Sequence, residues 1–439
     1  MKTKDKYLQI LMNGYTVGKL TKHNHGGLSF CYDNNWLQLQ GARPISLSLP
    51  LIDINYSGDL VSNFFDNLLP DNSQMRARIQ TMFQTNTDQP FDLLASIGKD
   101  CVGAIQLCSE SSNFTKNITA RPLSTKQIAD ILKDYINSPL GIVDRNSDFR
   151  ISIAGAQEKT AFLLNNKKWQ LPIGSTPTSH IFKLPIGFIE HQQLDLRDSC
   201  ENEWLCAEIA KAYGFEVANT YINQFQSAKT LIVERFDRRW SEDKTWLMRL
   251  PQEDLCQALG VPSNLKYESD GGPSIIDIMR LLLGSTHSKQ DRITFFRTQI
   301  LFFLLGAIDG HAKNFSIFIE PLGAYRLTPL YDIMSAHPLT ASKQLQVKKI
   351  KMAMALHGKN KHYHWHKIQR RHFISTATLA NFDRQLAESL LDDMLGKVDT
   401  IISHVTALLP TKFPQSISAP IFKGMHTAKN KLKKQTLPA

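Results

Sequence analysis

Apolar and polar residues alternate over residues 7–20, on either side of Asn13-Gly14. That dipeptide favours the two left-handed residues of a type I′ turn, so the stretch predicts a β-hairpin. Strand-like runs follow at 28–32 and 44–51. Over 61–69 the spacing becomes helical, and helical pieces between 76 and 97 break at the polar Asn86-Thr87-Asp88 turn. A further strand is predicted at 103–107 and a polar linker at 109–117. Residues 1–140 thus predict a small α+β module.

Beyond residue 148 the pattern changes. Strands are predicted at 149–153, 160–164, 181–184 and 230–234, with a helix over 199–213 between them. After Gln252 helical periodicity dominates, at 275–283, 292–307 and 379–408, apart from a short strand-like stretch at 325–327. The lysine-rich tail, 423–439, predicts a fraying end. No internal repeat is present. A strand-rich stretch followed by a helix-rich one is the order of a two-lobed kinase. The expected division is 1–140, 141–250 and 251–439.

With 439 residues, the chain exceeds the usual size of one core, which agrees with several parts. Hydrophobic content of 42% and charged content of 21% describe a folded chain. A net charge of +11 and a pI near 9.2 suit a polyanionic partner such as nucleic acid, nucleotide or a membrane surface. The longest apolar run, 299–308, falls far short of the roughly eighteen residues that span a bilayer, so no membrane role is expected. The six cysteines form no C-x-x-C or zinc pattern, and the first residues do not resemble a signal peptide. A cytoplasmic protein with free thiols is the expectation.

Five features carry chemistry. Asp309 and Asn314, directly after the apolar run, have the spacing of the kinase catalytic loop H-R-D-x-x-x-x-N. There the Asp accepts the proton of the attacking hydroxyl and the Asn holds Mg²⁺. Asp332 could be the second metal ligand. Lys183 is a lone cation on an apolar strand, as a phosphate-binding lysine is, and Glu203, with Glu201 in reserve, could pair with it from the next helix. Glu234, Phe236 and Asp237 leave a hydrophobic strand as a hinge does, placed to meet adenine and ribose. Residues 152–160 put small residues between two strand-like runs, so backbone N–H groups could approach phosphate oxygens. This is neither a Walker A loop, since Glu158 stands where a glycine is needed, nor G-x-G-x-x-G. Each feature alone has a plain alternative: a polar loop, an edge lysine, a charged turn, a tight hairpin. Their occurrence in kinase order joins them.

The stretches 148–160, 181–185, 233–239, 250–254, 266–273 and 309–314, with 43–51 and 63–71 near the N-terminus, resemble the HipA family. These are toxin serine/threonine kinases of bacterial toxin–antitoxin pairs, and the resemblance covers nearly the whole chain. It implies an α+β, two-lobed protein-kinase-like fold with an additional small N-terminal α+β module. It implies ATP and Mg²⁺, with Asp309 as catalytic base, Asn314 and Asp332 as metal ligands and Lys183 on the phosphates. Ile153, Ala154, Gly155, Ala156, Gln157 and Glu158 would form the nucleotide loop, and Glu234, Arg235 and Phe236 the adenine contacts. Asp237, His311, Ala312, Lys313 and Tyr331 would complete the ATP site. Ser152 matches an autophosphorylated serine, whose dianion would repel ATP from the loop. Glutamyl-tRNA synthetase would be the substrate. A HipB-like helix-turn-helix antitoxin would be the partner, and operator DNA would be bound through that complex.

The chain departs from ordinary kinases at two places. Ala307-Ile308 replaces His-Arg before the catalytic Asp, and Ile333-Met334 replaces Phe-Gly after the metal Asp. Activation through a phosphorylated loop read by that arginine is therefore not expected. Two other readings stay open. Lys359, Lys361, Lys367, Arg370 and Arg371, interleaved with His362, His364 and His366, could contact DNA phosphates in a corepressor, or form a solvated face. A small-molecule kinase is the other, because fold does not fix the acceptor.

Overall fold

The computed structural model describes residues 5–108, 114–137 and 157–433. The expected strand at 149–153, Ser152 and residues 153–156 of the nucleotide loop lie outside the described residues. Two compact units make up the chain. The first comprises 1–184, 223–264 and 316–325, and the second 185–222, 265–315 and 326–439. They interleave along the sequence and cut across the sequential division at 140 and 250.

In the first unit, Lys6–Met12 and Tyr15–Lys22 form the expected hairpin. Asn13 and Gly14 adopt φ +50° and +90°, as a type I′ turn requires. The hairpin is the centre of an antiparallel sheet that runs, edge to edge, Asn55–Ser57, Leu28–Tyr32, Tyr15–Lys22, Lys6–Met12 and Ile105–Cys108. Its inner face packs Ile10, Val17, Leu20 and Phe30 on Phe64, Phe65 and Leu94 of the helices Asp59–Asp66 and Pro90–Ile97. The expected strand at 44–51 is absent. Ser46 and Leu49 form one isolated bridge, and the Ser46 and Ser48 hydroxyls bond to each other at 2.8 Å, local side-chain bonding that competes with a ladder.

A second sheet of this unit places Ala228–Glu234, His180–Lys183, Lys159–Asn165, Lys168–Pro172 and Ala120–Pro122 side by side. Its buried face is aromatic. Phe162, Trp169 and Phe225 surround Phe182, and Ile128 and Leu132 of the helix Thr125–Asn137 cover the cluster.

Helices dominate the second unit. Ser288–Leu305 is its buried axis, with twelve buried residues; Lys289, Gln290, Thr294 and Arg297 leave a polar edge along its first half, and every residue from Thr298 on is buried. Arg384–Leu408 and Gln415–Lys433 pack against it, and Ser199–Ala212 packs on both of these. The helix expected over 379–408 begins only at Arg384 and runs to Leu408; Leu379 instead ends a preceding helix, Arg370–Leu379, and the break comes where Asn381 takes φ +52° and Asp383 caps the second helix. The tail does not fray up to Lys433. Ile417, Ile421, Met425, Ala428 and Leu432 bury one face of the helix Gln415–Lys433, and Lys431 donates to the carbonyls of Trp365 and His366 at 3.0 and 2.6 Å. The basic stretch near 359–371 begins as a bulged hairpin, Lys351–His357 with Lys361–His364.

Candidate active site

The D-x4-N loop grows out of the axial helix of the second unit. That helix stops at Gly306, where φ is +58° and the Ala307 N–H returns to the Phe302 carbonyl at 2.8 Å, a C-terminal glycine cap. The chain then turns at Asp309-Gly310. A Cβ on Gly310 would lie 2.2 Å from the Phe302 ring, so only glycine lets the loop pass this close to the helix. The His311 N–H bonds the Asp309 carbonyl at 2.8 Å, and Ala312–Asn314 closes a 3₁₀ turn with Asn314 N–H to His311 O at 2.9 Å.

This turn fixes the side chains. Asp309 is 56% exposed, as a group awaiting an outside hydroxyl needs to be, and its Oδ1 accepts from the Tyr267 hydroxyl at 2.5 Å. His311 Nε2 stands 3.9 Å from the same oxygen. Asn314 is buried, and its Nδ2 donates to the Asp332 carbonyl at 3.4 Å. That bond turns Asn314 Oδ1 the other way, where it is buried without a hydrogen-bond partner. Asp332 itself is held at φ +58°, a left-handed conformation that costs most residues about 1 kcal/mol or more and that Asp tolerates better. The Tyr331 hydroxyl donates to the Lys313 carbonyl at 2.9 Å, which ties the loop to the Asp332 segment a second time. Asp309, His311, Ala312, Lys313, Asn314, Tyr331 and Asp332 are therefore gathered by one local network.

The donor set suits a hard divalent cation. An orphaned buried amide oxygen next to the Asp332 backbone offers the oxygen chemistry Mg²⁺ takes, and Mg²⁺ binds through one or two carboxylates plus water and phosphate oxygens. Among the described residues no cluster of three or more His, Cys, Asp or Glu side chains forms a metal cage. Such a cage is what zinc needs and Mg²⁺ does not.

In the first unit, Lys183 ends the interior strand His180–Lys183, flanked on both sides, so it is no edge lysine and its side chain is buried. Lys159 is directly opposite it on the neighbouring strand, which brings two ammonium-bearing side chains to one register. Gln157 Nε2 donates to the Leu184 carbonyl at 2.5 Å, the Leu184 N–H to the Glu158 carbonyl at 3.2 Å, and Arg78 pairs with the Glu158 carboxylate. Gln157 and Glu158, the described end of the expected nucleotide loop, are thus anchored beside Lys183.

The hinge residues divide. Glu234 is exposed, and Phe236 is half-buried with its edge against Phe318 at 5.9 Å. Arg235 and Asp237 turn inward instead. Asp237 accepts from Arg235 at 2.8 Å, Arg238 at 2.9 Å and the Gly103 N–H at 2.7 Å, and Asp100 accepts from Arg235, Arg238, Arg249 and Thr178. Burial alone would raise the Asp100 carboxyl, but the Arg238, Arg235 and Arg249 guanidiniums outweigh it and hold it well below the usual carboxylate range. Burial and the neighbouring Arg235 push the Arg238 guanidinium down to about 10. The ribose contact expected of Asp237 is corrected here. Its carboxylate is saturated inside a buried ion network, and the Arg235 backbone is engaged as well, its N–H donating to the Ser179 carbonyl at 2.9 Å and its carbonyl accepting the Arg238 N–H at 3.1 Å.

Glu203 and Glu201 are both buried on the helix Ser199–Ala212 of the second unit. Tyr267 was not among the expected site residues. It belongs to the stretch 266–273, quoted above only for its family likeness, and nothing local in its sequence announces a contact with Asp309.

A mixed sheet-and-helix fold and a D-x4-N loop followed by a constrained aspartate define the kinase-like class. Residues 151–402 match the family model of the HipA-like C-terminal domain, and residues 8–108 that of the HipA N-terminal domain. The Y4mE protein of Sinorhizobium fredii, whose name marks it as a candidate kinase, is 33% identical over 75% of this chain and 77% of that protein. The serine/threonine-protein kinase toxin HipA of Shewanella oneidensis is 30% identical over 69% of each. The chain belongs to the HipA family. The solved Shewanella oneidensis MR-1 toxin–antitoxin complex of HipA, HipB and operator DNA matches in fold, with a TM-score of 0.81 at 24% identity over 97% of both chains. A protein-kinase-like activity goes with family membership. Among the described residues no helix is long and apolar enough to cross a membrane.

Proposed function

We propose that the chain is a cytoplasmic serine/threonine-protein kinase toxin that moves the γ-phosphoryl group of ATP to a protein serine. The observation that carries this reading is the coupled placement of Asp309, Asn314 and Asp332 by a single network. Asp309 takes the proton of the acceptor hydroxyl as its oxygen bonds to phosphorus. The bond from phosphorus to the bridging oxygen breaks, and ADP leaves with that electron pair. Asn314 Oδ1 and the Asp332 carboxylate would hold Mg²⁺, which neutralises phosphate charge when bound. Lys183 lies against the phosphates with Gln157, Glu158 and the residues 153–156, and Glu203 is its intended partner. Of the expected adenine contacts Glu234, Arg235 and Phe236, Glu234 and Phe236 keep that proposed role. His311, Ala312, Lys313 and Tyr331 frame the loop. The division into 1–140, 141–250 and 251–439 belongs to the same proposal, as module, nucleotide part and catalytic part.

The biological setting follows family likeness. Glutamyl-tRNA synthetase is the proposed substrate, whose loss halts translation, and Ser152 the proposed self-inactivating phosphosite. A HipB-like antitoxin is the proposed partner and brings the chain to operator DNA as corepressor. Two of the five basic residues considered for DNA are committed elsewhere, Lys361 to Glu268 at 2.9 Å and Arg370 to Asp392 at 2.6 Å. Lys359, Lys367 and Arg371 are left exposed for phosphate contacts. Neutralising these three should flatten the salt dependence of the ternary complex.

Incubation with γ-labelled ATP and a cell lysate tests the main reading. A labelled serine in a macromolecular band is the expected result. Label confined to small molecules rejects the protein-kinase assignment in favour of a small-molecule kinase.

A further inference from the structure

The stretch 266–273, Lys-Tyr-Glu-Ser-Asp-Gly-Gly-Pro, is given no role in the transfer step above, yet it meets the D-x4-N loop at three points. The Lys266 carbonyl accepts the Ala312 N–H at 3.4 Å. The Tyr267 hydroxyl donates to Asp309 Oδ1 at 2.5 Å, and the Tyr267 ring meets His311 edge-on at 4.9 Å. We propose that Tyr267 positions the Asp309 carboxylate for proton acceptance and that the rest of the stretch exists to hold Tyr267 in place. The proposal rests on Asp309 being the base.

An exposed aspartate rotates its carboxylate freely, because the terminal torsion is broad and two-fold. A donor fixed on Oδ1 removes that freedom and sets the carboxylate's orientation toward the acceptor hydroxyl, as a third group orients the base in other nucleophile–base pairs. Two sets of contacts on the C-terminal side of Tyr267 hold it. Downstream, the N–H groups of Asp270 and Gly272 return to the Tyr267 carbonyl at 3.1 and 2.9 Å, and Gly271 takes φ +101°. A Cβ on Gly272 would lie 1.9 Å from the Leu265 carbonyl oxygen, so this turn admits no side chain there. Next to Tyr267, the buried Glu268 carboxylate accepts the Ala355 N–H at 2.7 Å and pairs with Lys361 at 2.9 Å, which pins the stretch to the hairpin Lys351–His357 with Lys361–His364. Both halves of the motif thus serve one phenol.

The test is Tyr267→Phe in the full chain, read as initial rates of label transfer from γ-labelled ATP over a range of ATP concentrations. A roughly tenfold lower kcat with KM for ATP unchanged within about twofold is expected, the signature of a contact that acts on the reacting geometry. In an Asp309→Asn background, Tyr267→Phe should have no further effect. Undiminished kcat in Tyr267→Phe, or a loss carried by KM, overturns the positioning role. Transfer that survives Asp309→Asn overturns the underlying assignment of the base, and so the two failures are distinguishable. If the phenylalanine variant does not fold, trifluorotyrosine at 267 keeps the shape and makes the phenol more acidic. A changed kcat is then expected, and an unchanged one overturns the role.

Discussion

Glu253, in the strand Gln252–Asp254, is fully buried, and its Oε1 accepts the Leu47 N–H at 2.8 Å while Oε2 has no partner. Burial, helped by neighbouring Asp254 and opposed by Ser46 and Leu47, pushes its carboxyl from 4.5 up to about 8. The folded chain therefore binds this proton more tightly than the unfolded chain does. The group's contribution is most favourable below pH 4.5, declines as pH rises, and is fully lost above about pH 8. At about 1.4 kcal/mol per pH unit, the loss amounts to about 3 kcal/mol by pH 7. Glu253→Gln keeps the acceptor for Leu47 and cannot ionise. Its stability relative to the parent should therefore rise by about 1.4 kcal/mol per unit between pH 5 and 8 and level off beyond. Urea unfolding of both proteins at pH 5, 6, 7 and 8 measures this, since every other titrating group is common to both. A difference that stays constant over that range refutes the buried, proton-holding carboxyl.

Three further outcomes are expected. Gly310→Ala forces a methyl onto the Phe302 ring and should cost about 1–3 kcal/mol of stability in a thermal melt while lowering label transfer more than tenfold. Asp100→Asn removes one of two anions from among three buried guanidiniums and should destabilise by about 3–5 kcal/mol; an unchanged melting temperature would show that the network is dispensable. Asn314→Ala removes the orphaned amide oxygen and should raise the Mg²⁺ concentration for half-maximal transfer by about tenfold, checked by metal titration at saturating ATP.

What could be read from the sequence depended on how local the cause was. The hairpin at Asn13-Gly14 follows from two residues' preference for positive φ, and the structure has it. The alternation that predicted a strand at 44–51 was real, but Ser46 and Ser48 satisfy each other and the Gln257 carbonyl instead of a neighbouring strand. Gln415–Lys433 hid behind Pro420 and its lysines, although Ile417, Ile421, Met425, Ala428 and Leu432 carry helical spacing. At the proposed site, Asp309, Asn314 and Asp332 were picked out by spacing and order along the chain, and the structure places them in one local network. Asp237 looked like a solvent-facing hinge residue because its partner Arg235 is local but Gly103 and the Asp100 cluster are not. Tyr267 and Asp309 are 42 residues apart in sequence, and only the fold brings the phenol to the carboxylate.

The central claim is that Asp309 takes the proton in a phosphoryl transfer from ATP. Asp309→Gln keeps a polar side chain, one methylene longer, and removes the base. The direct measurement is label transfer to protein serine by this variant, with its melting temperature and ATP binding determined on the same sample. The account predicts a folded, nucleotide-binding chain with no transfer. Full transfer by the folded variant would contradict it.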